Sequence, residues 1–156
     1  MTNEVSANGW PASKYPADIG ITIFPVAGAN TRLRAEKTAG RILSAFAAEF
    51  HATIEPIDGG AADDWGYCYR NVRGTTDKLS NHSSGTAIDL NATRHPLGKA
   101  NTFTAEQQTA IRLLCKKYGL RWGGDYKTRK DDMHFEINSD RATVEKLADK
   151  LGLPHA

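Results

Sequence analysis

Two short stretches of this chain carry side chains whose types and spacing can do chemistry. One runs Ser80-Asn-His82-Ser-Ser-Gly85-Thr-Ala87-Ile-Asp89, and the other, much further on, runs Asp131-Asp-Met-His134-Phe-Glu136. Two imidazoles and a carboxylate make a three-ligand set. A zinc ion held by three protein groups keeps a fourth position for water or substrate, whereas a structural zinc is closed by four. Such an ion polarises a carbonyl and acidifies water, so hydrolysis is the chemistry this set implies. Singly, each residue reads more simply as a turn or core histidine, or as a turn-capping aspartate. The reading rests on His82, Asp89 and His134 occurring together with Gly85 and Asp131.

Hydrolysis also calls for a base within reach of the attacking water. Asp131 precedes His134 by three residues and can lean toward that water without ligating. Asp132 is its rival. In an extended segment Asp132 shares the face of His134 and Asp131 points the other way. Spacing alone therefore favours Asp132, and a role for Asp131 requires a bend.

The elements that position these residues read as follows. A Ser-Ser-Gly turn after His82 folds the imidazole back over a strand at residues 86–90, where Ala87 leaves space on the face of Asp89. A second strand carries His134 through Ile137, paired with a strand at 120–122 across a long polar hairpin. Residues 1–20 form an extended lead-in packed through Trp10 and Tyr15, and residues 21–156 a single domain. Residues 22–26 predict an edge strand, since Pro25 forbids a central one. Apolar residues from Leu33 to Phe50 fall on one stripe of a helix over 32–50. Strands are predicted at 53–57, ending at Asp58-Gly59-Gly60, and at 65–72. Thr104 and Gln107 form a capping box that opens a helix to Tyr118, with Gly119 as its stop. Ser139 or Asp140 caps a last helix to Leu151. Helices mixed with short strands argue for an α+β fold with a small, mainly antiparallel sheet.

Composition narrows the function. The chain has 156 residues, 24% of them charged, and a net charge of +2, which is too small to argue for nucleic acid. Cys68 and Cys115 lack metal-type spacing and read as buried free thiols. His51, His95 and His155 read as solvated or weakly packed. No secretory leader and no membrane span is visible, so synthesis in the cytosol is expected.

Together, Ser80-x-His82-x-x-Gly85-x-Ala87-x-Asp89, Trp122-Gly-Gly-Asp125-Tyr126 and Asp131-x-x-His134-Phe-Glu136 resemble the zinc D-alanyl-D-alanine carboxypeptidase / L-alanyl-D-glutamate endopeptidase family. The likeness is nearest to the peptidase domain of bacteriophage endolysins. The resemblance implies the α+β fold shared with the hedgehog signalling domain and one zinc per chain held by His82, Asp89 and His134. It also implies Asp131 rather than Asp132 as base. An arginine before the first histidine holds the substrate carbonyl or carboxylate in that family, and Arg70 matches it better than Arg73. On a strand these two arginines would point to opposite faces, so that only one serves. Ser80, Arg73, Trp122 and Asp125 are weaker substrate-site candidates, with Asp125 a candidate partner for a ligand histidine.

The implied substrate is the bacterial peptidoglycan stem peptide and the implied activity endopeptidase, with a D-alanyl-D-alanine carboxypeptidase or a catalytically silent metal-binding module as alternatives. A monomer is expected, made in a host cytoplasm and acting on the cell wall after release. The hairpin after Asp125 is strongly basic and reads either as a contact for acidic groups or as a solvated tip. Targeting to the wall falls to the peptidase itself unless the chain is a piece of a longer lysin.

Overall fold

Five short strands and three helices make up the regular structure among residues 4–57 and 62–156, which the computed structural model describes. Strands β1 (Ile21–Pro25) and β2 (Arg32–Glu36) form an antiparallel hairpin, with Ile21 opposite Glu36. The predicted edge strand is β1. The predicted helix over 32–50 is corrected at its start, because residues 32–36 are β2. There Leu33 and Ala35 turn inward and Arg32 and Arg34 outward, a period of two rather than 3.6. The switch to helix follows Glu36, whose buried carboxylate accepts the N–H groups of Thr38 (2.7 Å) and Ala39 (2.9 Å). Those donors are the ones a helix start leaves unpaired.

Helix α1 (Ala39–Thr53) buries Ile42, Leu43, Phe46 and Phe50. It runs past the predicted end and takes up Thr53, so no strand forms at 53–57. Its last turn closes through Ile54 N–H to the Phe50 carbonyl, and Ile57 N–H then donates to His51 Nδ1 at 3.0 Å. The predicted end at Asp58–Gly60 lies outside the described residues. The segment 65–72 is not a continuous strand either. Trp65 pairs with Asp89, while Tyr67 N–H goes to Arg34 and Cys68 N–H to His82. Partners that change every residue or two build no ladder.

The second sheet holds β3 (Ala87–Asp89), β4 (Leu120–Trp122) and β5 (His134–Ile137), with β5 central and both pairings antiparallel. Alternate residues of a strand face opposite ways. Phe135 and Ile137 therefore enter the core, where the Phe135 ring lies 4.7 Å from Phe46 and 5.7 Å from Phe50. His134 and Glu136 face the other way. Helix α2 (Ala105–Tyr118) has both hydrogen bonds of its capping box and a left-handed Gly119 after it. Helix α3 (Arg141–Lys150) is capped by Asp140, which accepts Thr143 N–H at 2.9 Å.

The lead-in is held by Trp10, whose Nε1 donates to the Ser139 carbonyl at 2.8 Å, whereas Tyr15 is exposed. Cys115 is buried, and burial pushes its thiol up to about 12. Cys68 is exposed, contrary to the expectation of two buried thiols. No helix among the described residues is long and apolar enough to cross a membrane.

Since Phe135 is fully buried against two aromatic rings, Phe135→Ala is expected to cost about 3–5 kcal/mol of stability. Denaturant unfolding checks this by a lower midpoint at unchanged slope.

Candidate metal centre

His82 sits in a 3₁₀ turn, Asn81–Ser84, whose entry is capped by Ser80 as its hydroxyl accepts His82 N–H at 3.2 Å. The turn ends at Gly85 with φ of 70°, a left-handed conformation. A Cβ at Gly85 would lie 2.6 Å from the backbone nitrogen of Glu36, so both φ and space require glycine. The His82 ring is fully buried, with Nδ1 2.8 Å from the carbonyl oxygen of Gly66. A carbonyl only accepts, so Nδ1 carries the proton and Nε2 presents its lone pair. Nε2 lies 3.2 Å from Asp89 Oδ2 and has no hydrogen-bond partner among the described residues.

The pairing of β3 with β5 sets Asp89 directly opposite His134 and Ala87 opposite Glu136. His134 Nδ1 lies 3.1 Å from Asp89 Oδ1, and its Nε2 lies 2.6 Å from Glu136 Oε1. Glu136 also accepts the Tyr126 hydroxyl at 2.8 Å. Trp65 Nε1 donates to Asp89 Oδ2 at 2.9 Å. Burial raises the Asp89 carboxyl, but His82 and His134 outweigh it and hold the group far below the usual carboxylate range. Burial likewise raises Glu136, and the bond from His134 brings it below its ordinary value. For His134 burial favours the neutral ring, yet Asp89 and Glu136 prevail and raise it to about 10.

One ligand atom from each of His82, Asp89 and His134 lies within 4.8 Å of the others, and all three residues are buried. Glu136, being ionised, accepts the His134 Nε2–H, which directs Nδ1 toward Asp89, where a bound cation would replace the Nδ1 proton. Two ring nitrogens, one of them the orphaned His82 Nε2, and an ionised carboxylate thus converge. His82 Nε2 and Asp89 Oδ2, two acceptors 3.2 Å apart in a buried site, repel unless a cation lies between them. Two imidazoles and one carboxylate, with their far nitrogens held by Gly66 and Glu136, suit zinc.

The turn before β5 separates the two aspartates. His134 N–H bonds the Asp131 carbonyl at 3.0 Å, which supplies the bend that spacing did not reveal. Asp132 turns away, accepting Thr102 N–H (3.0 Å) and Oγ1–H (2.6 Å). Asp131 lines a cavity together with His134, and its Oδ1 is buried with no hydrogen-bond partner among the described residues. Burial raises its carboxyl to about 6, reinforced by Asp89 and opposed by His134, His82 and Arg70. Gly123 lies under this residue: a Cβ there would come within 2.2 Å of the Asp131 carbonyl oxygen.

The remaining candidates divide. Arg70 is tied to the 3₁₀ turn, its N–H donating to Ser83 Oγ (3.0 Å) and its carbonyl accepting Ser83 Oγ–H (2.8 Å) and Ser80 N–H (3.0 Å). Arg70, Arg73 and Ser80 all line the cavity. Both arginines line it because the segment is not a strand and its faces do not alternate. Trp122 is a core residue that donates from Nε1 to the Asp132 carbonyl at 2.8 Å, and it supports the turn rather than lining the cavity. Asp125 lies at the rim paired with Arg112 at 3.0 Å, and the partner of the ligand histidine is Glu136 instead. Glu136 was findable, since it stands two residues after His134 on one strand face; the Gly66 carbonyl has no sequence signature. His95 is corrected as well. It is buried, stacked on Phe103 at 3.7 Å, and bonded to Glu55 (2.8 Å) and Thr102 (2.7 Å).

A family model described as D-alanyl-D-alanine carboxypeptidase matches residues 73–137, a span that contains the three clustered residues and Asp131. That match supports the family and, in general, a peptidase acting on peptidoglycan. No curated protein and no solved structure shows significant similarity to the chain.

Zinc titration against a chromophoric chelator is expected to give one site per chain, lost in Asp89→Ala. Glu136→Gln, which keeps the shape but weakens the bond to His134 Nε2, is expected to lower zinc affinity about 10–100-fold.

Proposed function

We propose that this chain is a zinc-dependent peptidoglycan peptidase of the phage endolysin type, hydrolysing L-alanyl-D-glutamate or a related bond of the stem peptide. One observation carries the reading. His82, Asp89 and His134 cluster, and Asp131, whose Oδ1 has no hydrogen-bond partner among the described residues, lines with His134 a cavity of about 570 Å³. Zinc, when bound, supplies a Lewis acid and lowers the pKa of water.

The chain's own residues have distinct tasks. Asp131 accepts a proton from the attacking water and delivers it to the departing amine. Burial holds its carboxyl above the ordinary value, against the pull of the neighbouring cations, which favours its accepting a proton. The Arg70 guanidinium opposes the negative charge that grows on the substrate carbonyl oxygen. Gly66 and Glu136 fix the two imidazoles, and the buried Trp122 holds the turn that aims Asp131. The resemblance to endolysin peptidases supports synthesis in a host cytoplasm and action on the wall.

A second reading, D-alanyl-D-alanine carboxypeptidase, is favoured by the description of the matching family and by Arg73, a cation at the cavity suited to a terminal carboxylate. Masses of products released from defined muropeptides distinguish the two. Loss of a single alanine marks a carboxypeptidase, and separation of the stem after its first residue marks the endopeptidase.

Asp131→Asn is expected to lower turnover about 10²–10⁴-fold while zinc still binds at one per chain. Equal turnover by this variant overturns the role of Asp131. Chelator treatment is expected to abolish activity and added zinc to restore it. Zinc-loaded wild type that cuts no muropeptide overturns the peptidase reading in favour of the metal-binding module.

A further inference from the structure

The charges around the cavity are sorted. The cavity is lined by the buried Glu136 and half-buried Asp131 carboxylates and by the exposed cations Arg73, Lys78, Lys127 and Arg129. None of these four cations pairs with a carboxylate among the described residues. The other charges nearby are already engaged. Arg121 lies 3.8 Å from Glu136 and 4.7 Å from the centre of the Tyr126 ring. Asp125, the rim's own acid, is taken by Arg112. The whole chain carries a net charge of only +2, so this local excess is not a reflection of bulk composition.

The cations come from two segments. Arg73 and Lys78 belong to the stretch before the 3₁₀ turn, and Lys127 and Arg129 to the hairpin before Asp131. Like charges brought together around one opening repel, and an anion that bridges them relieves the repulsion. A cleft with low-dielectric walls and one sign of charge at its mouth also concentrates ligands of the opposite sign.

We propose that Arg73, Lys78, Lys127 and Arg129 form an anion-binding rim that takes free carboxylates of the peptide flanking the scissile bond, so that acidic peptides are preferred to their amides. Amidation changes a carboxylate little in size but removes its charge, so the rim reads charge rather than shape. The proposal rests on the peptidase reading and deepens it by naming the substrate class.

The test compares a synthetic stem peptide containing L-alanyl-D-glutamate with free carboxylates against the same peptide fully amidated, using full-length zinc-loaded protein. At low ionic strength the acid is expected to have about tenfold higher kcat/KM, from several screened charge contacts acting together. The difference is expected in KM, as for binding made equally in the ground and transition states. It is expected to shrink as salt rises. In the double variant Lys127→Gln/Arg129→Gln the acid-to-amide ratio is expected to fall about fivefold, with an unchanged thermal midpoint showing that the fold is intact. Equal kcat/KM for the two peptides, or a ratio unmoved in the double variant, overturns the rim.

If neither peptide is cut, the peptidase reading fails separately. Fluorescence anisotropy of the labelled acid and amide peptides on zinc-loaded protein then still decides the rim. Tighter binding of the acid that is lost in the double variant supports it, and equal binding overturns it.

Discussion

The register between β3 and β5 is the constraint on which the centre depends. It sets Asp89 opposite His134 and Ala87 opposite Glu136. Because strand side chains alternate, a slip of one residue would send the whole set to the wrong face. The slip is opposed from the other side of the sheet, where Phe135 packs against Phe46 and Phe50 of α1 and Ile137 is buried in the core. One four-residue strand thus serves two surfaces. Apolar burial fixes the register, and the register fixes the chemistry.

That arrangement places ionisable groups where water is scarce. Burying charge is unfavourable unless each group is paired. Here the pairing is nearly complete, with Trp65 on Asp89, Tyr126 on Glu136 and Gly66 on His82. The exceptions at the centre are His82 Nε2 and Asp131 Oδ1, two acceptors with no hydrogen-bond partner among the described residues. Elsewhere the buried Glu36 takes two N–H groups on Oε1 at the start of α1, while its Oε2 lies 3.3 Å from Arg141.

Some of this was legible in the sequence and some was not. Helices α2 and α3 announced themselves because their caps are side chains, Thr104 with Gln107 and Asp140, and side chains are what a sequence records. β2 was hidden because Leu33 continues the apolar stripe of the following helix, and only pairing with β1 distinguishes the two. The aromatics at 65–72 suggested a strand, yet that backbone divides its hydrogen bonds among several partners. At the centre, residue types and spacing were enough to bring His82, Asp89 and His134 to notice. The choice between Asp131 and Asp132 depended on a turn whose evidence is a backbone hydrogen bond, and His95 on burial decided by Glu55 and Phe103 from elsewhere in the chain.

The Gly123 carbonyl accepts two N–H groups, from Tyr126 at 3.2 Å and from Asp131 at 3.1 Å. The hairpin is therefore cinched at its neck, where the Lys130 carbonyl also takes Gly98 N–H at 2.8 Å, and residues 127–129 project beyond the knot. Length and charge out there are insulated from the aim of Asp131. The loop behaves as an interchangeable nozzle on a fixed valve: grafting a different tip onto the same neck would retune what the protein approaches while leaving the machinery beneath undisturbed.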